Sequence, residues 1–298
     1  MILREALQSI TQTLRRAEIA DASVEAEVLL GHALGMSKTG LYTGPERSLS
    51  LAEEERLRRL VRRRLDHEPA AYILGQCEFY GTDFSVDSDT LIPRPETELL
   101  VQEAIELVRR VSRQGEGCTI ADIGTGCGAI AISLALALPR AKIYATDISP
   151  SALMVAEVNC RRHGVNGRVE LLQGNLLEPL PEAVDMIVAN LPYVKDREFV
   201  DLSLEIREHE PMIALAGGRD GLDKIREMLE QMRGKGGVHL DEWPAYLLLE
   251  IGQGQGEMVA SLVNEHFPQA SIELIPDLGG VERVAKINLE AGKPVPSE

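Results

Sequence analysis

Residues 121–135 read ADIGTGCGAIAISLA, and this stretch decides the fold. A short apolar run carries one acid, Asp122. Three glycines then alternate, Gly124, Gly126 and Gly128, and an apolar helical run follows. A strand that ends in such a turn and feeds a helix lets a ligand come close to the backbone, because glycine has no Cβ and tolerates positive φ. About twenty residues on, KIYATDIS reads as a second strand ending in Asp147, where a carboxylate can accept both hydroxyls of a ribose.

The same alternation continues outward. Cys118–Gly124 is strand-like, Ala129–Leu138 helical, and Pro150 opens the helix SALMVAEVNCRRHG. RVELLQGN and AVDMIVANLPY read as strands, followed by a loop and a helix from about Leu222 to Arg233. YLLLEIG is a strand, GQGEMVASLVNEHF a helix, and ASIELIPDLGGVERVAKINL supplies two more strands. Strand and helix in alternation imply a doubly wound, mostly parallel sheet, its last strand antiparallel through a terminal hairpin.

Upstream the pattern is helical. Leu3, Leu7, Ile10 and Leu14 fall at helical spacing, EAEVLLGHALGM repeats the pattern, and Ser50 is placed to cap a third helix. That helix carries six arginines from Arg56 to Arg64 near its C-terminal end, which suits the helix dipole. They read as a solvated face paired with Glu53 to Glu55, or as a docking face for RNA or an RNA-associated protein. The stretch from Ala71 to Thr90 reads as a β-hairpin, and LIPRPETELLVQEAIELVRRV as a helix with prolines at its start. The expected organisation is a helical domain over 1–72, a hairpin linker over 73–92, an α/β domain over 93–290 and a frayed tail over 291–298.

A net charge of −16 disfavours non-specific binding to phosphate backbones. The four cysteines, Cys77, Cys118, Cys127 and Cys160, form no CxxC pair, so no metal site is expected and a reducing cytoplasm fits. The N-terminal MILREALQSITQTLRRAEIADAS reads as an amphipathic helix and not as a signal peptide. The longest apolar run, AIAISLALAL, is too short to span a bilayer, so no membrane association is expected.

Two cofactors suit a glycine turn with an acid at the next strand tip, a nicotinamide dinucleotide and S-adenosylmethionine. The dinucleotide fingerprint is G-x-G-x-x-G, whereas here the spacing is G-x-G-x-G and an acid, Asp122, precedes it. That combination resembles the first motif of class I S-adenosylmethionine-dependent methyltransferases.

The stretch VANLPYV, Val188 to Val194, ends the fourth strand, on the side where open α/β sheets bind ligands. It resembles the [D/N/S]-P-P-[Y/F/W] motif of methyltransferases that modify a planar nitrogen. The lone pair of such a nitrogen is delocalised, so it is a poor nucleophile. The Asn190 oxygen can accept one of its N–H bonds and a backbone carbonyl in the turn the other, which fixes the nitrogen and favours positive charge as it attacks. Tyr193 can pack on the flat face of the group. Leu191 replaces the usual first proline but still supplies a carbonyl, and Pro192 biases it toward an extended conformation. Asn-Leu-Pro-Tyr is also the form found in ribosomal-RNA adenine dimethylases, so the tetrapeptide alone does not name the substrate.

Four further stretches narrow the choice: EAEVLLGHALG near the N-terminus, EPAAYILGQCEFYG (Glu68–Gly81), LIPRPETELLV (Leu91–Val101) and EPMIALAGGRDGL (Glu210–Leu222). Together they resemble the peptide-chain release-factor glutamine methyltransferases, the PrmC/HemK family. The resemblance implies methylation of the side-chain amide nitrogen (N5) of the glutamine in the Gly-Gly-Gln motif of class I release factors, with S-adenosylmethionine as donor. Asn190, Leu191, Pro192 and Tyr193 would form the transfer site. Gly124, Thr125, Gly126, Cys127, Gly128, Asp147 and Ile148 would hold the cofactor, and Asn175 and Leu176 would flank its adenine. Asn175 stands where an acid is common. Phe84, Arg94, Pro95 and Thr97 would close over the methionine end or the substrate loop, and the helical domain would clasp the release factor. The competing readings are glutamine methylation of another protein such as a ribosomal protein, N6-adenine methylation of RNA or DNA, and a non-catalytic cofactor-binding module.

Overall fold

The computed structural model describes residues 1–111, 117–234 and 246–289; the tail expected over 291–298 lies outside them. By internal contacts the chain falls into two compact units, Met1–Gln76 with Ser203–His209, and Cys77–Leu202 with the chain from Glu210 onward.

The first unit contains α1 (Leu3–Arg16), α2 (Ala22–Leu34), α3 (Lys38–Thr43), α4 (Leu51–Leu65) and α5 (Ala70–Leu74). Leu3, Ala6, Ile10 and Leu14 give α1 a buried stripe at i, i+3, i+4 spacing, which joins Ala26, Leu29 and Leu30 of α2 and Leu57 and Leu60 of α4 in one core. Ser50 caps α4 as expected. Its hydroxyl accepts the Glu53 N–H while the Glu53 carboxylate accepts the Ser50 N–H, a reciprocal capping box. Residues 71–74, expected as the start of the hairpin, instead lie in the short helix α5 (Ala70–Leu74), ended by Gly75 at φ +71°.

Part of the arginine run of α4 is engaged inside this unit, while Arg59 and Arg62 are exposed. Arg56 donates to the Ala33 carbonyl at 2.9 Å, and Arg63 grips Glu68. Arg64, only 1% exposed, meets Glu25 at 2.5 Å and also pairs with Glu205. Burial opposes the Arg64 charge, but the two carboxylates prevail and hold it above its usual range. Of the expected partners Glu53 to Glu55, only Glu55 meets an arginine of the run, Arg58. Glu53 pairs with Arg47, and Glu54 with the N-terminal amine.

The second unit opens with the hairpin β1 (Gln76–Phe79) and β2 (Thr82–Ser85), then α6 (Thr97–Val111). Alternation follows: β3 (Thr119–Ile123), α7 (Ala129–Ala137), β4 (Lys142–Asp147), α8 (Pro150–Arg162), β5 (Val169–Gln173) and β6 (Met186–Ala189). The loop expected after β6 contains a 3-10 turn over Asp196–Asp201, the short helix α9 (Leu204–His209), which belongs to the first unit, and a second 3-10 turn over Met212–Ala214. These pieces lack the repeated apolar spacing by which a sequence announces a helix. Then come α10 (Asp223–Met232), β7 (Tyr246–Glu250), α11 (Gly256–His266), β8 (Ser271–Pro276) and β9 (Glu282–Asn288).

The large sheet has the order β5-β4-β3-β6-β7-β9-β8. All pairs from β5 to β7 are parallel, and β9 runs antiparallel to both of its neighbours, as the terminal hairpin led us to expect. Every residue of β6 is buried, the mark of a parallel strand covered on both faces. The chain leaves β3 toward β4 and β5, then returns to lay β6 on the other side of β3. That reversal makes a crevice beyond the carboxyl ends of β3 and β6, the place where open α/β sheets bind ligands. Among the described residues no helix is long and apolar enough to cross a membrane.

Candidate active site

The glycine turn closes the carboxyl end of β3. The Gly124 and Thr125 N–H groups both donate to the Thr146 carbonyl at 2.9 Å, which pins the turn to β4. Asp122 braces it from beneath. Fully buried, its Oδ2 accepts the Thr125 hydroxyl at 2.6 Å and the Ala131 N–H at 3.0 Å, while Oδ1 has no partner. Burial pushes its carboxyl up to about 7, against the pull of those two hydrogen bonds. Gly128, at φ +86°, is needed for packing: a Cβ there would meet Ile132 at 3.0 Å and Ala156 at 3.3 Å, jamming the helix against its neighbour.

Asp147 ends β4 beside this turn. One carboxylate oxygen accepts the Gly126 N–H at 2.8 Å and the other the Ser149 N–H at 2.9 Å. Burial raises its pKa, and the backbone donors only partly offset that. Each oxygen keeps a free lone pair, so further donors such as a pair of vicinal hydroxyls would be welcome there.

Beyond β6, the Asn190 Nδ2–H donates to Thr97 Oγ1 at 3.1 Å. That use of the amine leaves Oδ1, the acceptor, for a ligand. Tyr193 turns away from the opening, and its hydroxyl reaches toward Glu250 Oε1 at 3.5 Å. Burial, then the Glu250 charge, push the Tyr193 phenol up to about 12. The backbone of this turn is backed by the Gly217–Gly221 loop. Val194 N–H donates to the Leu215 carbonyl at 3.0 Å and Gly217 N–H to the Val194 carbonyl at 2.9 Å. Gln255, buried, donates to the Tyr193 carbonyl at 3.1 Å.

These pieces enclose a cleft of about 170 Å³. Of the residues expected at the site, Gly124, Gly126, Asp147, Ile148, Asn175, Leu176, Asn190, Leu191 and Pro192 line it. Thr125, Cys127, Gly128 and Tyr193 do not; they hold the turns that shape it. The Cys127 carbonyl, for example, accepts from Asn159, which also grips Ser85 of β2. Asn175 donates to Glu227 at 2.6 Å, which leaves its oxygen free to accept as an acid would.

Four expected contacts lie elsewhere. Phe84 is fully buried in the hairpin, against Phe79 and His163, because a phenyl ring on β2 finds its apolar partners there. Arg94, Pro95 and Thr97 do not line the cleft either. Arg94 pairs with the buried Glu210 at 2.6 Å, tying the PRPETE stretch to the segment that carries Pro211, Ile213 and Ala214 into the lining. Thr97 instead accepts the Asn190 amide N–H. Sequence reasoning missed Asp89, Thr90, Leu91 and Lys224 as lining residues and Glu250 and Gln255 as supports. The first three sit one turn before the flagged Leu91–Val101 stretch or at its edge; nothing local singles out the others.

The cleft fits S-adenosylmethionine on its donor set: a carboxylate with unused lone pairs at the β4 tip, a glycine turn open to the cavity, and amide acceptors at Asn175 and Asn190.

Comparison with known proteins agrees. Residues 5–75 match the PrmC N-terminal domain and residues 98–210 the methyltransferase small domain. The release factor glutamine methyltransferase of Moorella thermoacetica is 40% identical, over 95% of this chain and 97% of that protein. The protein of the same name from Bradyrhizobium diazoefficiens is 38% identical, over 92% of each. The hMettl16 catalytic domain, solved with a MAT2A 3'UTR hairpin, aligns at a TM-score of 0.57 and 14% identity, over 76% of this chain and 84% of that one, a likeness of fold alone.

Proposed function

The chain belongs to the release factor glutamine methyltransferase family, and from that premise we propose that it methylates the side-chain amide nitrogen of the glutamine in the Gly-Gly-Gln loop of a peptide-chain release factor. The fold is that of the class I S-adenosylmethionine-dependent methyltransferases. S-adenosylmethionine, when bound, supplies an electrophilic methyl group.

This chain's own residues do the rest. Asp147 would accept from the ribose hydroxyls of the cofactor, and the open glycine turn would let it come close. Asn190 Oδ1 accepts one N–H of the substrate carboxamide and the Leu191 carbonyl the other. Two acceptors hold a weak nucleophile in line and favour the positive charge it gains. Asparagine has no basic group near neutral pH, so the proton leaves to solvent. Leucine in place of the usual first proline keeps the carbonyl, and Leu191 is itself buried against the core. The observation that carries this reading is the orientation of Asn190, whose amine is committed to Thr97.

The helical region over 1–72 recognises the release factor, the linker over 73–92 that carries the β1–β2 hairpin joins it to the transfer domain over 93–290, and the enzyme works in the cytoplasm. A net charge of −16 supports a basic protein substrate over RNA, since complementary charge speeds encounter. The test is methyl transfer from labelled S-adenosylmethionine to a release factor and to naked ribosomal RNA in parallel, with mass spectrometry to locate the methyl. Label on the Gly-Gly-Gln glutamine is the expected result; label on RNA alone would overturn the reading.

A further inference from the structure

Glu250 ends β7 and is 2% exposed, yet it is a carboxylate, and its Oε2 has no hydrogen-bond partner. Burying such a group without full pairing is costly. The Thr97 side chain lies close enough to lower its pKa, and the Tyr193 hydroxyl approaches its Oε1 at 3.5 Å. Thr97 in turn receives the Asn190 amine at 3.1 Å. Glu250 therefore reaches both ends of the Asn190–Tyr193 turn.

We propose that Glu250 is a positioning residue for methyl transfer, acting through the Thr97 hydroxyl to hold the Asn190 carboxamide with its oxygen toward the cleft. The inference rests on the proposed role of Asn190 as an acceptor. An ionised carboxylate is acceptor-only. Thr97 must then donate its single O–H to Glu250, so its oxygen faces Asn190 as an acceptor. An acceptor there selects the Asn190 amine and leaves Oδ1 for the substrate. A protonated Glu250 reverses the chain: it donates to Thr97, Thr97 donates to Asn190, and the amide turns its amine to the cleft. Two donors would then face each other at the substrate nitrogen.

The setting makes this reversal accessible near neutral pH. Burial pushes the Glu250 carboxyl up to about 7, and Glu96 adds to the rise; Thr97, Arg283 and Tyr193 act the other way. Turnover is therefore expected to rise with pH through about 7 as Glu250 ionises. Cofactor binding at Asp147 and the glycine turn lies outside this chain of bonds.

The test uses the full-length enzyme with a release factor, reading kcat, KM and the dissociation constant of S-adenosylhomocysteine from pH 5.5 to 9. Thr97→Val keeps shape and removes the hydroxyl; kcat should fall about 10- to 100-fold, the scale of a misplaced reacting group. Its cofactor affinity should move less than about threefold, since Asp147 and the glycine turn lie outside the hydrogen-bond chain. Thr97→Ser should restore most of the rate. Glu250→Gln should flatten the acidic limb of kcat, because glutamine keeps an acceptor for Thr97 and does not titrate. Asn190→Ala runs alongside. If Asn190→Ala is inactive while Thr97→Val turns over like the wild type, or Glu250→Gln keeps the wild-type acidic limb, this inference is overturned and the reading of Asn190 stands. If Asn190→Ala is itself fully active, the acceptor reading fails with it.

Discussion

The Asp147 carboxylate accepts the Gly126 N–H at 2.8 Å, so the tip of β4 is fastened to the glycine turn of β3. The group expected to grip the cofactor thus also holds the loop that receives it. Asp147→Ala should weaken S-adenosylhomocysteine binding by about 10- to 100-fold, as loss of one or two charge-assisted hydrogen bonds implies. Calorimetric titration measures this. Unchanged affinity would mean that the carboxylate serves only the turn.

Asn190→Ala removes the acceptor while sparing the glycine turn and Asp147. Turnover should drop about 10²- to 10³-fold, comparable to deleting one preorganised polar group from a transition-state site. Cofactor affinity should stay near native. Single-turnover kinetics with a release factor check both, and a near-native rate would remove Asn190 from the chemistry.

Much of this site can be read before folding, and the reason is physical. Gly124, Asp147 and Asn190 each stand where an apolar run breaks, so local composition marks the strand tips to which the sheet brings them. Glu250 also ends a strand, but its meaning depends on Thr97 and Tyr193, far away in sequence. Arg64 shows the opposite error. In sequence it belongs to an exposed-looking basic run, yet it is buried against Glu25 and Glu205, 39 and 141 residues away. Phe84 looked like a lid and is a core residue of its hairpin. Pairings at that separation leave no periodicity to detect.

Asp122 carries a cost that depends on pH. Its folded value is raised to about 7 by burial, whereas an unfolded carboxyl titrates near 3.9. Below the unfolded value both states are protonated and there is no penalty. Between the two values the unfolded chain ionises first, so stability falls as pH rises, by up to about 1.4 kcal/mol per pH unit, and levels off above the folded value. Asp122→Asn keeps one oxygen for Thr125 and Ala131 and does not titrate. Its stability relative to wild type should therefore improve from pH 4 to pH 7 and then stay level, as followed by denaturant unfolding. A difference independent of pH would show that Asp122 titrates in the folded protein as it does in the unfolded chain.

Gly221 and Gly254 separate strain from collision. Both have positive φ, +81° and +76°. A Cβ on Gly254 would meet nothing within 4 Å, whereas one on Gly221 would lie 2.4 Å from the Tyr193 carbonyl oxygen and 2.3 Å from Gln255 Nε2. Alanine at either site incurs the left-handed backbone cost, about 1–2 kcal/mol. Only Gly221→Ala must also push the Asn190–Tyr193 turn out of place or break the Gln255 bond that holds it. Both variants should lose similar stability to φ alone, with a further loss in Gly221→Ala. The fall in kcat should be confined to Gly221→Ala, about 10-fold or more for a shift of a few tenths of an ångström to one ångström at the transfer site. Thermal unfolding and release-factor methylation, measured on both proteins, decide it. Equal activity in the two variants would mean that the loop behind the turn does not control its geometry.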